Sequence, residues 1–212
     1  MSSNPQSNLA IIIFLKAPIP GQVKTRLAKD IGDQAAAEVY QRLLSHTVSV
    51  VSGLPADLIA YHKGYNDPPA LLRNQFSAWV EQAAGDLGDR MISAFSSVFK
   101  MGYKRVLLIG TDCPGINKGH LHQAFEELND SDVCFGPADD GGYYLIGLKR
   151  PIPELFDDIT WSTDMVLQSS LENAEKEKLS VSLIESLNDV DTATDLRSFP
   201  SFVPEGLHLD GA

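Results

Sequence analysis

Basic residues are scarce in this chain. Seventeen Lys and Arg stand against 28 Asp and Glu, a formal charge of −11 over 212 residues. A surface of that sign repels phosphate polymers and anionic lipid, so a nucleic-acid polymer or a membrane surface is excluded as partner. A small anion held in one local pocket is still allowed. Cysteine is nearly absent too: Cys113 and Cys134 are too few for a disulfide framework or a Cys-rich zinc site. No apolar run approaches the ~20 residues that a bilayer span takes. The strongest, Leu9–Leu15, follows the polar stretch Met1–Asn8, which has no basic flank, and no small-residue cleavage pattern comes after it. A cytoplasmic location without membrane insertion is the expectation. Three signatures are missing as well. Gly-x-x-x-x-Gly-Lys-Ser/Thr, Gly-x-Gly-x-x-Gly and Gly-x-Ser-x-Gly do not occur, which removes a P-loop and a dinucleotide fingerprint and argues against an α/β-hydrolase elbow. The histidines His46, His62, His120, His122 and His208 form no His-x-x-x-His pair and no triad-like set.

What is there is the composition of an ordinary globule, 43% hydrophobic and 21% charged. Single cores run to about 250 residues, so one domain is expected. Leu9 to Lys16 reads as a strand buried on both faces. Ala36, Val39, Tyr40, Leu43, Leu44, Val48 and Val51 recur at helical spacing after a candidate cap, Asp33. Strands at residues 57–61, 76–81, 105–109, 132–136 and 143–148 alternate with helices at 67–74, 87–99, 121–128, 165–176 and near Leu196. That alternation predicts βαβ units: an α/β, single-domain, mostly parallel Rossmann-like sheet with helices on both faces. The domain is expected over residues 9–200, between a disordered or loosely attached 1–8 and a C-terminal tail, 201–212.

In open α/β sheets, ligands bind beyond the carboxyl ends of the strands. After the first strand, residues 16–29 hold Lys16, Lys24, Arg26 and Lys29, where an even spread would put about one basic residue. Pro18 and Pro20 stiffen this loop and Gly21 lets its backbone come close to a ligand. It can hold a triphosphate through N–H groups, a Lys charge and an Arg fork. It reads equally as a solvated turn before a helix. After the strand at 105–109, Gly110-Thr111-Asp112-Cys113-Pro114 places a carboxylate where Mg²⁺ could bind with its waters and substrate phosphates. The same Asp112 reads equally as a cap of the helix near Asn117. Cys113, with no His beside it, reads as packing.

Asp139-Asp140-Gly141-Gly142-Tyr143-Tyr144 fits a hairpin turn better than a ligand loop on its own residues. Asp191 offers a second metal position or a cap, since Thr192-x-x-Asp195 resembles a capping box. Gly85-Asp86-Leu87-Gly88 opens a helix with Asp86 as cap. Gly88 in its first turn, at a cost of ~1 kcal/mol against Ala, suggests close approach of a ligand. Trp161 with Ser162 and Thr163, in a loop, is expected at the acceptor end of a cleft or covering the core.

Taken in order, these segments resemble the glycosyltransferase-A (nucleotide-diphospho-sugar transferase) superfamily, most closely the radical-SAM/selenodomain-associated transferase family. The residues that carry the resemblance are Phe14-Leu15-Lys16-Ala17-Pro18, Pro20-Gly21, Lys24-Thr25-Arg26-Leu27, Gly85-Asp86-Leu87-Gly88, Gly110-Thr111-Asp112-Cys113-Pro114, Asp140-Gly141-Gly142-Tyr143 and Asp189-Val190-Asp191-Thr192. They span about residues 9–197. The pattern is similar also to 2-phospho-lactate guanylyltransferase and the molybdenum-cofactor nucleotidyltransferases. The first loop here is Pro-rich where pyrophosphorylases are Gly-rich, and Tyr143-Tyr144 replaces smaller residues.

The resemblance implies a metal-dependent nucleotidyltransferase acting on a nucleoside triphosphate and a small phosphorylated acceptor. The alternatives are a glycosyltransferase with a nucleotide-sugar donor and a non-catalytic nucleotide-binding domain. Lys24, Arg26 and Asp112 would be catalytic, and Lys16, Pro20, Gly21, Lys24, Arg26, Gly85 and Asp86 would bind the nucleotide. Asp140, Gly141, Gly142, Tyr143, Trp161 and Thr163 would face the acceptor. Asp112 and Asp191 would hold Mg²⁺ or Mn²⁺.

Overall fold

The computed structural model describes residues 7–209. Met1–Gln6 of the expected loose N-terminus and Asp210–Ala212 of the expected tail lie outside the described residues. The order of elements is β1 Leu9–Lys16, α1 Ala28–Ile31, α2 Asp33–Val51, β2 Asp57–Lys63, α3 Ala70–Arg73 and β3 Ala78–Glu81, then α4 Leu87–Lys100, β4 Arg105–Ile109 and α5 Lys118–Glu127. β5 Val133–Pro137, β6 Tyr143–Leu148, α6 Val166–Lys176, β7 Val181–Leu183 and α7 Ala193–Arg197 follow. Short 3₁₀ turns lie at Pro153–Phe156 and Pro200–Phe202.

One seven-stranded sheet carries the order β3-β2-β1-β4-β6-β5-β7. All neighbours are parallel except at β6, which runs antiparallel to both β4 and β5. The fold is therefore the mostly parallel α/β sheet expected of the sequence. β1 lies inside the sheet, with Ile12 beside Ile59 of β2 and Leu108 of β4. Its side chains alternate between two cores. Ala10 and Ile12 pack with Met91, Phe95 and Val98 of α4, while Ile11, Ile13 and Leu15 pack with Leu44 of α2 and Leu121 and Phe125 of α5. Each fully buried Ile or Phe in those layers stabilises the fold by ~1.5–3 kcal/mol.

Helices thus cover both faces, and the face changes at β1. The chain leaves β1 through α2 on one side and enters β4 from α4 on the other. Loops that leave a sheet toward opposite faces part from one another, and a crevice opens above the strand ends between them. Here those are the loops after β1 and β4. Two helix-end signals, at Asp86 and at Thr192 with Asp195, agree with the sequence. Asp86 and Asp89 form a reciprocal capping box on α4, as do Asn117 and His120 on α5 and Thr192 and Asp195 on α7. One expectation differs: Asp33 is the first residue of α2, and Gly32 caps it. No helix among the described residues is long and apolar enough to cross a membrane.

Candidate active site

A cleft of about 770 Å³ opens at the predicted end of the sheet. Loops after β1 and β4, the start of α4 and the segments 162–164 and 189–191 line it. Lys24 dominates its floor. The side chain is only 4% exposed, and its ammonium lies 2.5 Å from Asp112 Oδ1 and 3.2 Å from Asp191 Oδ1. Its backbone takes a left-handed φ of 47°, a conformation that a residue with a Cβ keeps only when its surroundings hold it. Burial alone would lower the ammonium's pKa, but Asp112 and then Asp191 outweigh it and raise the pKa above the ordinary value. Arg26 is the outer partner, 64% exposed, with Nη1 3.3 Å from Asp191 Oδ2.

Two elements converge to build this cluster. Asp112 follows β4 directly, and the backbone N–H of Val190 donates to its carbonyl at 3.0 Å. That bond lays segment 189–191 beside the β4 loop, where Asp189 and Asp191 both line the cleft while Val190 between them is fully buried. Asp112 is not the cap of α5, because Asn117 takes that place. Beneath the cluster, the Tyr40 hydroxyl accepts from Lys16 N–H at 2.7 Å and from the Thr111 hydroxyl at 3.1 Å. This single side chain of α2 thereby ties the end of β1 to the end of β4.

Of the residues expected at the site, Lys16, Lys24, Arg26, Asp112, Asp140, Tyr143, Thr163 and Asp191 line the cleft. Pro20, Gly21, Gly85, Asp86, Gly141, Gly142 and Trp161 do not. Pro20 and Gly21 form an exposed turn, with Gly21 facing the Asp33 carboxylate. Gly85 and Asp86 act on the helix end, and the Gly85 carbonyl accepts from Arg90 Nε at 3.1 Å and Nη2 at 2.8 Å.

Two expectations are corrected. The close approach at Gly88 is to Trp161, whose ring carbon Cζ2 would lie 2.9 Å from a Cβ there, and not to a ligand. Trp161 accordingly packs at the edge of the core on α4, since a large apolar ring gains more there than in water. Its neighbours Ser162, Thr163 and Asp164 are the residues of that loop that reach the cleft. Gly141 and Gly142 form the β5–β6 turn, the Gly142 carbonyl accepting from Ala138 N–H at 3.0 Å. Gly141 presses against the Asp164 backbone. Asp140 remains on the cleft side, while Asp139 turns away to accept from the Ser186 hydroxyl at 2.6 Å.

Arg90, Gln82 and Asp189 line the cleft although sequence reasoning gave them no role there. Arg90 lines the α4 wall, and Gln82 lines the β3 end, its amide donating to the Tyr61 carbonyl at 2.9 Å. Asp189 is the third. Its Oδ1 is buried without a hydrogen-bond partner, and its spacing of two from Asp191 in extended chain was the available signal. Burial first, then Asp112, pushes its carboxyl up to about 7, against the pull of Lys24. The ordinary value is 3.8, so from about pH 4 to 7 the folded protein keeps a proton that the unfolded chain releases. The contribution of Asp189 to stability therefore falls as pH rises through that window. Asp189→Asn should flatten this loss, so in metal-free buffer the melting curves of variant and wild type should meet near pH 4 and separate by pH 8, the variant higher. Parallel pH profiles would refute the assignment.

The donor set suits a hard divalent cation. Asp112 and Asp191 both reach one point, both offer hard carboxylate oxygens, and the buried Oδ1 of Asp189 lacks a donor that a coordinated water could supply. No three His, Cys, Asp or Glu side chains among the described residues form a complete metal cage. Mg²⁺ needs none, since it binds through one or two carboxylates, waters and substrate phosphates.

Comparison with known proteins agrees with this architecture. No curated protein matches the sequence. A structure provisionally named as a nucleotide-diphospho-sugar transferase, from Desulfovibrio desulfuricans G20, is 35% identical, with a TM-score of 0.83 over 90% of this chain and 85% of that one. A cytidylyltransferase from Leptospira borgpetersenii superposes with a TM-score of 0.58 at 13% identity, over 98% of this chain and 91% of its own. The inositol-1-phosphate CTP transferase of T. maritima gives 0.56 at 14% identity, over 98% and 100%. At such identities the last two show the fold alone. A family profile described as "Uncharacterized protein conserved in bacteria (DUF2064)" matches residues 44–163, which hold the α4 start, the Asp112 loop and the β5–β6 turn. With that match and a 35% identical relative over most of its length, the chain belongs to the DUF2064 family, within the nucleotide-diphospho-sugar transferase superfamily.

Proposed function

We propose that this protein is a metal-dependent nucleotidyltransferase that joins a nucleoside triphosphate to a small phosphorylated acceptor. One observation carries the proposal: Lys24 and Arg26 meet Asp112 and Asp191 at the switch point of the sheet, inside a cleft large enough for a nucleotide. An acceptor phosphate oxygen attacks the α-phosphorus, the bond from that phosphorus to the bridging oxygen breaks, and pyrophosphate leaves. Little covalent work falls to the protein, so positioning and charge neutralisation supply the rate. Lys24 and Arg26 neutralise the triphosphate and the departing pyrophosphate. Asp112 and Asp191 would hold Mg²⁺ or Mn²⁺, which when bound adds charge neutralisation on the phosphates. Thr163, Asp140 and Tyr143 also line the cleft and would face the acceptor. The cytidylyltransferase neighbours support the nucleotidyl reading through the fold they share.

A glycosyltransferase with a nucleotide-sugar donor is the second reading, favoured by the name of the 35% identical relative. In it the same cations would stabilise a diphosphate leaving group. Calorimetry tests the part common to both. Lys24→Ala combined with Arg26→Ala should weaken nucleotide binding by tenfold or more at low salt. The difference should shrink at high salt, where screening already weakens charge pairing. Unchanged affinity would refute the phosphate role. Tighter binding of a nucleotide-sugar than of any triphosphate would favour the second reading.

A further inference from the structure

We propose that Lys24 is an internal counter-cation at the metal position, so that divalent metal alone binds weakly and binds firmly only together with a phosphate-bearing ligand. The inference rests on the metal-dependent reading above and adds to it an order of loading.

The geometry begins with two oxygens on different loops. Asp112 Oδ1 and Asp191 Oδ1 converge on the Lys24 ammonium, at 2.5 and 3.2 Å. A Mg²⁺ ion bonded to both would sit ~2.0–2.1 Å from each, in the space that the ammonium fills. A lysine ammonium and a divalent ion repel strongly at such separation wherever water is scarce, and this side chain is 4% exposed. One cation must leave before the other arrives.

Two further features show that the lysine is a stand-in. Its backbone holds φ at 47°, a conformation costly for a residue with a Cβ, which the surroundings must maintain. The ammonium also leaves the pocket incompletely served. Asp189 Oδ1 is buried beside it and accepts no hydrogen bond, although an ammonium carries three donors. A hydrated ion could bring coordinated water to that oxygen, which the lysine at its present position does not reach. When metal takes the carboxylates, Lys24 loses its partners, and the ligand's phosphates offer it new ones. Without phosphate the exchange leaves a lysine unpaired, so metal alone binds weakly. The pairing thus avoids both a repelling carboxylate cluster and capture of metal without substrate.

Mn²⁺ alone is the probe, with free ion measured by electron paramagnetic resonance. Lys24→Met keeps the apolar stem and removes the charge, and should tighten Mn²⁺ binding by tenfold or more without any nucleotide. Arg26→Met removes an exposed charge from the same Asp191, and should tighten it threefold at most. Equal gains in the two variants would reduce Lys24 to a diffuse field effect and overturn the proposal, as would unchanged or weaker Mn²⁺ binding in Lys24→Met. Wild-type protein provides an arm that needs no variant to fold. Reductive methylation read by mass spectrometry should label Lys24 poorly without metal and more heavily in excess Mg²⁺. Adding inorganic triphosphate with Mg²⁺ should protect it again. Labelling that Mg²⁺ leaves unchanged or lowers would overturn the proposal. If Mg²⁺ and inorganic triphosphate still bind together while Lys24 never moves, the functional reading stands and only the order of loading falls. If no metal binds under any condition, both fall.

Discussion

Asp112→Asn should abolish the response to Mg²⁺ and leave the fold standing. Asp112 is half-exposed at the end of β4 and caps no helix, so the buried group that its charge chiefly serves is the Lys24 ammonium. Asn keeps its size and can still accept from Lys24, which also retains Asp191. What disappears is one of the two negative charges facing a single point of the cleft. Turnover with the accepted nucleotide should drop by roughly 10²–10³, the usual cost of removing one preorganised charge-stabilising group. The wild type should gain thermal stability from Mg²⁺ with nucleotide by mass action, and the variant should gain none. Equal stabilisation of both proteins, or equal turnover, would show that Asp112 is a structural carboxylate only.

Gly141→Ala should be the most damaging single-methyl change near the site. Gly141 has φ of +89°, where an L side chain is strained. Its new Cβ would also collide with the backbone of Asp164, which has no rotamer by which to escape. The Gly141 carbonyl accepts from Leu167 N–H at 2.9 Å, so the turn cannot retreat without loosening the start of α6. A loss of ~3 kcal/mol or more is expected, at the upper end for one substitution. Denaturant unfolding measures it. Gly142, at an ordinary φ and with only the Asp140 carboxylate at 3.2 Å, should tolerate Ala far better. Similar losses at both positions would contradict the packing described for this turn.

These two residues mark how far the sequence could be read. Asp112 was legible because a carboxylate directly after a buried strand, in an α/β alternation, falls at the ligand end of the sheet by topology alone. The strands at β1 and β4 and the stripes of α2 and α4 were legible from hydropathy, and Asp86 and Thr192 from helix-end chemistry, whereas Asn117 as the cap of α5 was not. Other features depend on tertiary placement. β7 is three half-buried or exposed residues, with no apolar pattern to announce it. The antiparallel insertion of β6 between β4 and β5 leaves no trace in local composition. Gly88 signalled a close approach and Gly141 a turn, and both glycines are tightly approached. The approaching group, Trp161 for one and the Asp164 backbone for the other, comes from a loop distant in sequence. Likewise, four basic residues marked the first loop, but only the fold decides that Lys24 turns inward while Lys16 and Lys29 stay exposed. Asp189 stood in a candidate motif without a role for the same reason: burial of one oxygen is a property of the assembled cleft.

The central claim is that Lys24, Arg26, Asp112 and Asp191 form a phosphate and metal site. Thermal denaturation of the wild type against the four nucleoside triphosphates and a set of nucleotide-sugars, each with Mg²⁺ and with EDTA, tests it most directly. At least one nucleotide should raise the melting temperature, and the rise should vanish in EDTA and in Asp112→Asn. Stabilisation that survives EDTA undiminished would contradict the metal site, and no stabilisation by any nucleotide would contradict the transferase reading itself.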